Sequence, residues 1–133
     1  MANIKLVGSR LTKISAERNP DFSGDLSLKT NIAIKSINKM KEPKDTAEVI
    51  YLFEVDYNEL GKVSIEGKLF ISAEPKTLKV VQKAFDDKDA QSDEYMAITN
   101  LILQKSSIKA FQLEDELGLP IHIKLPTLNV KKE

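Results

Sequence analysis

The apolar pattern of this 133-residue chain changes period once, and that change limits what it can fold into. Up to Ile71 the apolar side chains recur mostly at every second position, whereas from Pro75 onward they recur every three or four. A period of two puts alternate residues on opposite faces of a strand, and a period near 3.6 puts them along one side of a helix. Strands followed by helices, with short links throughout, predict an α+β fold: a four-stranded antiparallel sheet with the helices packed on one face. One domain is expected over residues 1–133, with the sheet in 1–74, helical segments in 75–117 and an extended tail in 118–133.

The strands differ in clarity. Val49, Tyr51, Phe53, Val55 and Tyr57 share one face of a strand, and Val63, Ile65, Leu69 and Ile71 continue that face after the link Asn58-Glu59-Leu60-Gly61. Gly67 interrupts the second set, which marks a bend, a bulge or the close approach of a neighbour. An earlier alternation groups Leu26, Leu28, Thr30, Ile32, Ile34 and Ser36 on one side. In the opening segment, Ile4 to Ala16, Leu6, Leu11 and Ile14 break strict alternation, so a bulge is expected near Gly8 to Arg10.

Pro75 suits the first turn of a helix carrying Leu78, Val81 and Phe85. Ser92 suits the N-cap of the next helix, with Asp93 and Glu94 favourable to its dipole. Tyr95, Ile98, Leu101 or Ile102, Lys105, Ile108 and Leu117 form its mostly apolar stripe. A helix from Asp93 to Leu117 would span about 37 Å. Glu114, Asp115 and Glu116 oppose the dipole at that end, leaving Ser106-Ser107, Phe111 and Leu117 open as stopping points. Pro120 and Pro126 make the tail extended.

Catalytic chemistry is poorly supplied. Cysteine is absent, which removes thiol nucleophiles, thiolate metal sites and disulfides. His122 is the single histidine, flanked by Ile121 and Ile123 in the tail, and reads as a bystander. A zinc site needs several such ligands. No phosphate loop and no nucleophile-elbow motif is present. No metal, no cofactor and no enzyme activity are expected. Asp86-Asp87-Lys88-Asp89 reads as a solvated connector, and the lysines between Ser36 and Lys44 are diluted by Glu42 and Asp45. Twenty basic residues, only Arg10 and Arg18 of them arginine, balance twenty acidic ones. That balance argues against nucleic acid, whose binding draws on excess positive charge. No run is apolar enough for a membrane span and the N-terminus lacks a signal-peptide core, so a cytoplasmic location is expected.

The surplus is apolar. If Val49, Tyr51, Phe53 and Val55 face the helices, then Ile50 and Leu52 face away, and Phe70 joins them from the next strand. Such patches mark a partner, a ligand groove or an oligomer interface, unless the protein's own loops or a subunit cover them.

The segment Gly118-Leu119-Pro120-Ile121-His122-Ile123-Lys124-Leu125-Pro126-Thr127-Leu128 resembles the two-proline crossover of the SecB export-chaperone family. Leu11-Thr12-Lys13-Ile14-Ser15-Ala16-Glu17-Arg18 and the second strand through Asn31 resemble the shorter SecB-like proteins. The resemblance implies a homo-oligomeric holdase that keeps unfolded or preprotein polypeptides soluble without ATP, with a link to export. It makes Leu119, Ile121, Ile123 and Leu125 candidate client contacts beside Ile50, Leu52 and Phe70. Edge strands and the long helix would build a dimer or tetramer, with Tyr95, Ile98, Ile102 and Ile108 as candidate contacts. The chain departs from longer members by ending at Glu133, without their final helix, and by inserting the helical segment Pro75 to Asp89. A dedicated adaptor for one partner is the alternative, and an enzyme or small-ligand carrier ranks third.

Overall fold

A computed structural model of the chain describes residues 3–89 and 91–122. Strands β1 (Lys5–Arg18), β2 (Lys29–Lys39), β3 (Thr46–Asp56) and β4 (Gly61–Ser72) precede helices α1 (Pro75–Asp86) and α2 (Asp93–Leu117). The strands form one antiparallel sheet in the order β1-β4-β3-β2. A single 3-10 turn at Asn58–Leu60 joins β3 to β4. Because β1 and β2 are opposite edges, the link between them crosses the width of the sheet. The Asn19 amide donates to the Leu60 carbonyl at 2.6 Å, and Phe22 packs against the core on the way. The predicted α+β architecture is the observed one.

The odd-numbered faces of β3 and β4 carry the core. Val49, Phe53, Val55, Val63, Ile65, Leu69 and Ile71 retain no solvent exposure. One half packs against Leu78 and Val81 of α1 and Ile98 and Ile102 of α2, and the other against Ala110 and Leu119. Fully burying one such side chain stabilises a fold by roughly 1.5–3 kcal/mol, so this face outweighs any single polar contact in the molecule.

Bulges explain where simple alternation fails. In β2 the register shifts between Ile34 and Ser36, so Ile32, Ile34 and Ile37 face the helices and Ser36 turns away. The expected inward set therefore gains Ile37 and loses Ser36. Leu26 and Leu28 precede the strand and are exposed. In β1 the register shifts fall at Leu6/Gly8 and Leu11/Lys13, on either side of the expected position. Each extra residue resets the parity, which brings Leu6, Leu11 and Ile14 onto one face despite their odd spacing.

Helix α2 runs on to Leu117, the last of the three stopping points. The Ser92 hydroxyl accepts from the Tyr95 amide at 3.1 Å, as an N-cap should. Its buried residues are Ile98, Ile102, Ser106, Ala110 and Glu114, each four apart. That differs from the expected stripe, in which Lys105 and Ile108 pointed inward; both are exposed. Four residues overshoot one turn by about 40°, so the contact line winds around the helix as it crosses the strands. The small Ser106 and Ala110 leave room for the tyrosines below. The Ser106 hydroxyl lies near enough to Tyr51 to ease the upward push that burial gives that phenol, yet it completes no hydrogen bond. Gly118 ends the helix with φ 66°, and the Leu119 amide donates to the Glu114 carbonyl at 2.8 Å. Arg18 donates to the Leu117 and Gly118 carbonyls, each at 3.2 Å, placing a cation where the dipole favours one.

Gly67 is required by a close approach. A Cβ there would lie 2.6 Å from the Tyr51 hydroxyl oxygen and 2.8 Å from the Arg10 carbonyl. Gly67→Ala is expected to destabilise the fold by about 1–3 kcal/mol through overpacking, read as a lower urea midpoint at unchanged slope.

Candidate polypeptide-binding site

The candidate contacts divide between two faces. Ile50, Leu52 and Phe70 lie half-buried on the open side of the sheet, away from the helices. Phe70 lies against Gly8, and charged pairs surround the patch: Lys62 with Glu54 at 2.8 Å, Lys68 with Glu48 at 3.5 Å, and Lys35 with Glu66. The hydrogen bond and charge of Lys35 hold the Glu66 carboxyl below its ordinary value.

Leu119, expected to meet clients, is instead buried beside Phe53 and Val63 on the helix side, where packing leaves it no surface to offer. Ile121, on the same side, is 40% exposed. Ile123 and Leu125 lie outside the described residues. Among the described residues, then, the sheet patch and the tail do not form one groove, because the sheet itself separates them. The oligomer candidates divide as well. Ile98 and Ile102 are fully buried in the chain's own core, so neither can contact a second copy, whereas Ile108 is 66% exposed and Tyr95 is half-buried.

A different apolar surface is open to solvent. Ile32 and Ile34 of β2 and Tyr95, Met96, Thr99 and Asn100 of α2 line a cleft of about 300 Å³. Across Tyr95 the hollow continues between β2 and Phe85 of α1, over about 610 Å³. Met96 is 50% exposed. The outer edge of β2 has no strand partner among the described residues, so its amides and carbonyls border the cleft. An extended peptide can pair with such an edge while its alternate side chains enter the hollow. Sequence reading missed this site because Met96 falls off the apolar stripe of α2. Ile32 and Ile34 read from the sequence only as one side of a strand, since alternation does not reveal whether a strand is an edge.

The chain leaving α2 is tied down by a polar cluster in which His122 is central, contrary to its reading as a bystander. The His122 Nδ1 lies 2.8 and 2.9 Å from the two Glu114 carboxyl oxygens, and Nε2 lies 3.2 Å from the Ser107 hydroxyl. The Tyr57 hydroxyl lies within hydrogen-bonding distance of both the Glu114 carboxyl and, at 2.6 Å, the Pro120 carbonyl, and its one proton is donated to one of them at a time. The Phe53 ring meets the imidazole edge-on at 5.6 Å. Glu114 has no exposure and the His122 side chain 2%. Burial, reinforced by the hydrogen bond and charge of Glu114, pushes the Tyr57 phenol well above its ordinary value.

Ser107, His122 and Glu114 are connected like the members of an acyl-transfer triad. Their surroundings do not match that chemistry. Amides inside a helix are engaged in intrahelical bonds, so α2 leaves no donors beside Ser107 for a developing oxyanion. The clefts described above are not lined by Ser107. The cluster positions residues 119–122 instead.

Two outcomes check the cluster. His122→Ala strands a buried carboxyl and is expected to cost about 3 kcal/mol, whereas Glu114→Leu with His122→Leu should cost less than either single change, as measured by urea unfolding. Because Tyr51 and Tyr57 are both raised above 10.0, their stabilisation is complete below that pH and is lost as pH rises past it. Alkaline titration should show tyrosinate absorbance from these two appearing together with unfolding.

No family model matches the chain, and no curated protein matches its sequence. Among solved structures it is similar to the SecB-like chaperone Rv1957 of Mycobacterium tuberculosis, solved in complex with a ChAD peptide from the Rv1956 HigA1 antitoxin. The TM-score is 0.60 and the identity 12%, over 95% of this chain and 90% of that one. It also matches a Streptococcus agalactiae protein of unknown function, at a TM-score of 0.45 and 9% identity, over 94% of this chain and 98% of that one. The sheet order, the antiparallel pairing and the two helices on one face are a SecB-like fold.

Proposed function

We propose that this protein is a SecB-like, ATP-independent chaperone that holds extended, apolar polypeptide segments. The observation that carries the reading is the solvent-open cleft of Ile32, Ile34, Tyr95 and Met96 beside the unpaired edge of β2. Apolar burial has no directional requirement, and main-chain pairing ignores side-chain identity, so together they suit many client sequences. Ile50, Leu52, Phe70 and Ile121 serve as secondary contacts. The chain works as a homo-oligomer in the cytoplasm, joined through the β1 edge, where Val7, Leu11 and Ile14 are exposed. Ile123 and Leu125, outside the described residues, are further client contacts in this reading.

A second reading is a dedicated adaptor for one partner, and it is favoured by one finding: the Mycobacterium tuberculosis chaperone was solved with a peptide from an antitoxin. Breadth of binding separates the two. In the first reading the chain suppresses aggregation of several unrelated, chemically unfolded proteins without nucleotide. In the second it protects one partner and ignores the rest.

Met96→Asp is expected to weaken client binding about fivefold, corresponding to loss of roughly 1 kcal/mol of apolar contact. Since Met96 is half-exposed, its thermal midpoint should stay within about 2 °C of the parent. Full protection of unrelated clients by the Met96→Asp variant would remove the cleft from the reading.

A further inference from the structure

The chain is neutral as a whole, but its charges are unevenly divided between its two ends, with Glu42 also in the turn of the more basic one. Strand order places the turn between β2 and β3, the start of β1, the end of β4 and the start of α1 together. Three adjoining hollows open there and all are lined by Pro75. The largest, about 430 Å³, is bordered by Lys39, Lys41 and Lys44 around Met40. The second, about 280 Å³, adds Lys5, and the third, about 200 Å³, adds Lys79 above Ile37 and Leu78. Asp45 and Glu74 are the acidic residues lining them. None of the five lysines forms an ion pair among the described residues. The opposite end carries Glu17, Asp56 and Glu59 beside Asp115 and Glu116 at the end of α2, against Arg18, Lys29 and Lys62.

We propose that the hollow around Pro75 is a docking site for an acidic polypeptide segment with interspersed apolar side chains, separate from the client cleft. The lysines form a rim and the apolar residues a floor, so carboxylates and apolar groups on one segment are both accommodated. Lysine offers a point charge suited to single carboxylates. A nucleic acid fits less well, since neither arginine is at this end and Asp45 and Glu74 interrupt any continuous phosphate track. Oppositely charged surfaces also steer the encounter, so association is salt-sensitive.

The test uses the full chain and two short fluorescein-labelled peptides, one alternating Glu with Leu and one alternating Gln with Leu. The Glu peptide should bind about tenfold more tightly, and raising salt from about 50 to 300 mM should erase most of that preference. Lys39→Glu with Lys41→Glu and Lys44→Glu should abolish the preference, Lys→Gln at the same positions should reduce it, and Met96→Asp should leave it intact. Circular dichroism confirms that each variant is folded. Equal binding of the two peptides, or a preference that survives the triple reversal, overturns the proposal. Loss of the preference in Met96→Asp overturns it too, by moving the acidic peptide to the client cleft. Tighter binding of single-stranded DNA or anionic vesicles through the same lysines would replace the peptide with a different partner.

Discussion

Covering the inward face of β3 and β4 is the constraint on which the other features depend. Neighbouring strands are about 4.8 Å apart and a helix with its side chains is about 10–12 Å wide, so one helix covers about two strands. Helix α2 crosses all four strands, and the short α1 packs beside it over one end of β3, β4 and β2. The edge strands are left half-clothed. Ile32 and Ile34 on β2 and Leu11 and Ile14 on β1 face the helix side yet remain reachable by solvent. The cleft beside β2 is therefore a consequence of how a four-stranded sheet meets too little helix, and α1 bounds one side of it through Phe85.

The same covering helix creates a second problem, which the polar cluster resolves. Because the contact line of α2 winds around the helix, it reaches Glu114 at the end over the sheet. A buried carboxyl without partners is strongly unfavourable, and here Tyr57 and His122 supply them. The acidic end of α2 is tolerated for two separate reasons. Glu114 is internally bonded, and Arg18 reaches the terminal carbonyls. Asp115 and Glu116 remain in water. The cluster draws the chain after Gly118 back over Phe53, which turns a tail residue, Leu119, into a core residue.

Charge balance alone says little about surfaces. Equal numbers of acidic and basic residues argue against a polyanion partner only through their sum. Antiparallel pairing, however, gathers the ends of alternate strands, so lysines scattered from Lys5 to Lys79 meet at one end. Net charge is a sum over the chain, whereas an approaching partner meets a local field.

Period was legible in the sequence because it is a local property. The alternation of Val49 to Tyr57, the Pro75 start and the Ser92 cap each depend on a few neighbouring residues and the geometry of one element, whereas the end of α2 stayed open among three positions. The fold class followed from them, and so did the outward direction of Ile50, Leu52 and Phe70. The bulges in β1 and β2 were only partly legible, since an extra residue is recognised by what lies opposite it. The partnership of Tyr57, Glu114 and His122 could not be read at all: these residues are up to 65 positions apart, and only the docking of α2 on the sheet brings them together. For the same reason the open cleft and the basic end were decided by the tertiary structure. Which residues stay uncovered depends on where a helix of fixed width lies across a sheet, and no local pattern encodes that.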